Sequence, residues 1–141
     1  MKKILVLTIL LFSIQSFSQE NNDCDDRIVP YWWNYTNSRI EGESPSLRKA
    51  FKEIQSSETK IEPKNGFITL RLNISKTGIL CDIETFQIDE NYKSTEFNNG
   101  KLKEELEQIA FGLKDWKRDK EYKTYNLIRL KIKNGRIEEI F

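Results

Sequence analysis

Between Gly66 and Ile88 the chain alternates apolar and polar residues with a period of two. Ile68, Leu70, Leu72 and Ile74 fall on one side, and Thr69, Arg71 and Asn73 on the other. Successive side chains of an extended strand point to opposite faces, so the pattern predicts a strand with one buried and one wetted face. Lys76-Thr77-Gly78 interrupts it with a glycine able to take positive φ. A second alternating run follows, in which Ile79, Cys81 and Ile83 share a face. The whole stretch reads as a β-hairpin.

A period of 3.6 flanks the hairpin on both sides. Ser44-Pro45 has the form of a helix start, a capping hydroxyl followed by proline at the first helical position. Leu47, Ala50, Phe51 and Ile54 then fall at i, i+3, i+4 and i+7, one apolar stripe. Pro63-Lys64-Asn65-Gly66 closes the linker into the hairpin, and Asp89 to Gly100 reads as a loop. The longest helix is predicted from Lys101 to about Trp116, with Leu102, Leu106, Ile109, Leu113 and Trp116 on its inner stripe. Burying each of these is worth ~1.5–3 kcal/mol, which requires the helix to lie on the sheet. A third strand is expected at Tyr125–Lys133, where Ile128, Leu130 and Ile132 alternate with Arg129, Lys131 and Lys133. Asn134-Gly135 is a two-residue turn signal, so Arg136–Phe141 folds back as a short fourth strand. The fold class is α+β, a small antiparallel sheet with a leading helix, in one domain over residues 43–141.

The N-terminal stretch changes the compartment. Lys2 and Lys3 precede the apolar run Ile4–Ile14, and Ser16-Phe17-Ser18 supplies small residues for cleavage before Gln19. A spanning helix needs ~20 apolar residues, so residues 1–18 read as a signal peptide and not an anchor. The chain is expected to be exported, periplasmic or secreted, with no membrane span after cleavage. Residues 19–42 form a polar leader and an aromatic segment. Its first part is acidic and expected to be exposed; Asp23, Asp25 and Asp26 lack the glycine and distal glutamate of a calcium loop, so no metal is expected. An even cysteine count in an exported chain favours a Cys24–Cys81 disulfide. The alternative leaves Cys81 as a core residue and Cys24 free in the leader.

Charge and composition narrow the chemistry. Acidic and basic residues are interspersed and nearly balanced, with a formal charge of +1, which argues against a nucleic-acid partner. The chain contains no histidine. That removes the usual general base and any Ser-His or Cys-His pair, and no phosphate-binding glycine motif is present. No enzyme activity, catalytic residue or cofactor is expected. The aromatic segment Tyr31, Trp32, Trp33 and Tyr35 either closes the core or forms a contact surface.

Taken together, PSLRKAFKEI, GFITLRLNISKTGILCDIETFQI with its turn glycine Gly78, LKEELEQIAFGLKDW ending at Trp116, and YNLIRLKI resemble the C-terminal domain of the TonB family. The resemblance covers roughly Glu43 to Lys133. It implies a domain that receives an extended segment of another envelope protein beside its last strand. On that basis Tyr125, Leu127, Arg129, Lys131 and Lys133 are the candidate peptide-binding edge strand. The family often places a proline two residues after its tryptophan, where this chain has Arg118. The three prolines are not clustered, unlike the proline-rich span of energy-transducing members. The sequence therefore implies an exported, anchorless binding module that captures a peptide by strand addition. The competing expectation is a secreted structural or accessory protein whose aromatic segment makes its contacts.

Overall fold

The computed structural model describes residues 22–30, 38–40, 43–57, 60–114, 116–118 and 121–141. The candidate signal segment and Tyr31, Trp32, Trp33 and Tyr35 lie outside the described residues. Among the described residues, no helix is long and apolar enough to cross a membrane.

The hairpin forms where the alternation places it. Strand β2 (Gly66–Ile74) pairs antiparallel with β3 (Leu80–Asp89), in a register that sets Leu72 beside Ile83 and Thr69 beside Phe86. Ile68, Leu70, Leu72 and Ile74 are fully buried on one face. A bulge between Asn73 and Ile74 follows, and Leu80 then faces Ile74. The bulge moves Ile79 out of the expected inward set, and it is exposed.

Strand β5 (Thr124–Lys133) pairs antiparallel with the other side of β2, and β6 (Arg136–Ile140) folds back along β5. The sheet order is β3-β2-β5-β6. The fold is thus α+β, with a four-stranded antiparallel sheet. Helix α1 (Glu43–Ser57) and helix α2 (Lys101–Phe111) place Phe51, Ile54, Leu102, Leu106 and Ala110 in the core beneath it. Helix α1 begins at Glu43, so Ser44 and Pro45 sit within its first turn, where a proline removes no helical hydrogen bond. Phe97, fully buried, anchors the turn before α2; Asn98 and Asn99 carry that turn through left-handed backbone, which asparagine tolerates.

Two expectations are corrected here. Helix α2 stops at Phe111 and is shorter than α1. Gly112 costs about 1 kcal/mol in a helix interior relative to alanine. Beyond it the chain gains a second pairing: Trp116–Arg118 (β4) joins Ser38–Ile40 (β1) antiparallel, with Ile40 opposite Trp116. Trp116 is buried as its apolar character requires, but from a strand and not from the helical stripe.

The acidic leader is exposed at Asp25, Asp26 and Arg27, but it is fastened to the domain and is not a free arm. Cys24 and Cys81 form a disulfide, with sulfurs at 1.95 Å and Cα atoms at 5.6 Å. Asp23 accepts a hydrogen bond from the Thr77 hydroxyl at 2.7 Å, and Lys76 pairs with Asp26 at 3.5 Å. The Lys123 ammonium donates to the Cys24 carbonyl, and the Val29 N–H donates to the Lys123 carbonyl at 2.8 Å. Residues 22–30 are therefore fastened across the hairpin turn and the start of β5. Lys76 thus offsets part of the negative charge of Asp23 and Asp26.

Arg118 also holds the turn. Its guanidinium donates to the Ile74 and Ser75 carbonyls at 3.1 and 2.7 Å. Gly78 adopts φ +87°, and a Cβ there would run into the Trp116 carbonyl oxygen. Gly100 has φ +86° with open space around it. Alanine at either position costs about 1–2 kcal/mol from backbone conformation alone. Gly78→Ala is therefore expected to lower the urea midpoint clearly more than Gly100→Ala, the difference measuring the contact between the turn and β4.

Candidate functional site

The candidate residues Tyr125, Leu127, Arg129, Lys131 and Lys133 all stand on β5, on the sheet face turned away from the helices. Strand β5 is not an edge of the sheet, which corrects the expectation of an edge strand there. It lies between β2 and β6, and the edges are β3 and β6. The tail covers β5 from Arg129 to Lys133. Leu130 pairs with Ile140, Lys131 with Glu139 and Lys133 with Arg136, and Arg129 and Phe141 exchange both backbone hydrogen bonds.

Side chains reinforce that cover. Lys131 pairs with Glu138 at 2.7 Å, and Lys133 pairs with Glu138 at 3.2 Å. The hydrogen bond to Glu138 raises the Lys131 pKa, and the two lysines lower that of Glu138. The sign follows from the lowered carboxylate. Its contribution is present above the ordinary glutamate range and is lost as pH falls through its depressed folded value. Within the tail, Ile137 is buried against the core, and the Gln55 side chain of α1 donates to its carbonyl at 3.3 Å. Removing residues 134–141 sacrifices the ~1.5–3 kcal/mol of one buried isoleucine and bares the β5 backbone. The truncated chain is expected to form concentration-dependent dimers in sedimentation experiments. A truncated chain that stays monomeric would mean the tail does not protect β5.

Among the described residues the opposite edge, β3, is open. Near its end, β3 is capped by the loop after it, where the Thr95 N–H donates to the Gln87 carbonyl at 3.2 Å and the Asp89 N–H to the Lys93 carbonyl at 2.9 Å. Those bonds show that Gln87 and Asp89 turn their backbone groups outward. In an antiparallel strand the same direction recurs at every second residue, so Ile83 and Thr85 do likewise. No described residue pairs with them on that side. Beside them runs a groove of about 830 Å³ between β3 and the start of α2, lined among others by Thr85, Gln87, Gly100, Lys103 and Glu107. The Thr85 hydroxyl donates to Glu107, which also pairs with Lys103 at 3.8 Å.

This edge escaped the sequence reading because β3 and β5 carry the same alternation, and periodicity does not say which strand lies outermost. One signal was present. Along the inward positions of β3, Leu80 and Ile83 give way to Thr85 and Gln87, marking where the core stops and a polar groove begins.

Cys24 and Cys81 are brought together as a disulfide that fastens the leader to the hairpin. Among the described residues, no group of three His, Cys, Asp or Glu side chains gathers where it could hold a metal ion. Comparison with protein-family models, with curated proteins and with solved structures returned no match.

Proposed function

We propose that this chain is an exported binding module that captures an extended segment of a cell-envelope protein by strand addition, with β3 as the receiving edge. The observation that carries the reading is the outward-facing backbone of Ile83 and Thr85 beside the groove along α2. An unpaired edge offers donors and acceptors to a passing strand, and pockets beside it select side chains. Each backbone hydrogen bond contributes a net ~0.5–1.5 kcal/mol, so a few such bonds need added side-chain contacts for useful affinity. The groove supplies them: an added strand would direct alternate side chains toward Lys103 and Glu107. The resemblance of the sequence to the TonB C-terminal domain supports strand addition as the mode. The receiving strand proposed here differs from the one that resemblance implies, because the tail occupies the outer side of β5.

Thr85→Pro tests the reading. Proline is tolerated on an edge strand where the lost N–H faced outward, so the β2–β3 ladder survives while the edge loses a donor. The mature chain on an affinity support is expected to recover a partner from its own cell envelope, and Thr85→Pro to lose it with a near-unchanged melting temperature. Equal recovery by the two proteins would overturn the proposal.

A further inference from the structure

The sheet face that the helices leave uncovered carries a second surface, independent of the β3 edge. The register places Phe86, Thr69 and Arg129 in one row across β3, β2 and β5, and Phe141 continues the row through its paired backbone bonds with Arg129. Phe86, Leu127 and Phe141 are 53%, 44% and 59% exposed. Phe141 lies directly across from Arg129 and Leu127 two residues along its own strand, while Phe86 stands one strand further, beyond Thr69 and about 10 Å away on the same face. The Arg129 guanidinium stacks on the Phe67 ring, 4.3 Å from its centroid.

The charges on this face are unequally satisfied. Arg71 pairs with Glu84 at 3.6 Å and stacks on Tyr125. Lys131 and Lys133 pair with Glu138, and Asp82 accepts from the Asn73 amide. Among the described residues Arg129 has neither an ion pair nor a side-chain hydrogen bond, and its Nε is buried without a partner there. A planar guanidinium held flat by a ring is already ordered, so little entropy is lost when a carboxylate docks on its fork. Arginine and aromatic side chains grouped on an exposed patch are the composition of interface hot spots.

We propose that this face docks a protein segment presenting an aspartate or glutamate between apolar side chains. The carboxylate meets the Arg129 guanidinium, and the flanking groups cover Phe86, Leu127 and Phe141. The positive charge beside Leu127 and Phe141, with Phe86 beyond Thr69, selects this occupant over a purely apolar one, which would bury the cation uncompensated.

Panning a phage-displayed random peptide library against the mature chain tests the proposal. Enriched peptides are expected to hold an acidic residue flanked by aromatic or aliphatic ones. Their synthetic forms should bind Arg129→Gln at least about tenfold more weakly, as should versions with the acid changed to its amide. Thr85→Pro should leave this binding intact, which separates it from strand addition at β3. A library that enriches no acidic–apolar sequence, or peptides that bind Arg129→Gln equally, would overturn the proposal. So would dimerisation of the wild-type chain that Arg129→Gln abolishes, since the face would then belong to a second copy.

Discussion

Trp116→Ala is expected to destabilise the fold by ~3–5 kcal/mol, the usual penalty for emptying a buried aromatic site. Trp116 is 5% exposed and belongs to the same core as Leu113, Ile74 and Leu102. Its backbone carbonyl abuts Gly78 at the hairpin turn, and its strand pairs with β1. The side chain thus closes the end of the core where β4 meets the hairpin turn. Its indole Nε1 is buried with no hydrogen-bond partner among the described residues. Trp116→Phe removes that unsatisfied donor and keeps most of the apolar area, so its cost should be clearly smaller than that of alanine. Urea denaturation of the three proteins checks the order. With m near 1–3 kcal/mol/M, the alanine variant's midpoint should fall by more than about 1 M. A neutral midpoint would place the side chain in solvent.

Loss of the Cys24–Cys81 bond is expected to cost nearly as much. The cysteines are 57 residues apart in sequence, and closing a loop of that length constrains the unfolded chain by about 4 kcal/mol in the chain-entropy account. The double variant Cys24→Ser/Cys81→Ser should therefore unfold at markedly lower urea than the oxidised protein. Adding reductant should shift the wild type toward the variant and leave the variant itself unmoved. The same change should release residues 22–30 from the hairpin turn, seen as faster amide exchange at Val29, whose N–H is held by Lys123. Two thiols labelled per unreduced chain would mean that no bond forms.

The sheet was legible wherever one face of a strand is buried and the other is not. Ile68 to Ile74 and Ile128 to Ile132 sit inward as their alternation requires, and the Asn134-Gly135 turn returns β6 beside β5. Helix length was less legible. Leu113 and Trp116 continue the stripe of α2 in sequence, yet they reach the core from a turn and a strand. An apolar residue at the right spacing says that it is buried, not which backbone carries it there. The fastening of the leader was not legible because the partners of Asp23 and Asp26, Thr77 and Lys76, lie fifty or more positions away. The same holds for the binding surfaces. Arg129 and Leu127 were named from one strand, but Phe86, Thr69 and Phe141 join them only through register. The openness of β3 is a property of strand order, which no local pattern encodes.

The central claim is that a partner's backbone pairs with β3, and amide hydrogen exchange at Ile83 and Thr85 tests it most directly. In the free chain these two amides face outward with no partner among the described residues and should exchange quickly, while those of Leu70 and Leu72 in the sheet interior are protected. Once the captured envelope protein is bound, protection should rise at Ile83 and Thr85 and stay unchanged along β6. A bound complex in which those two amides still exchange at their free rates would contradict strand addition at β3.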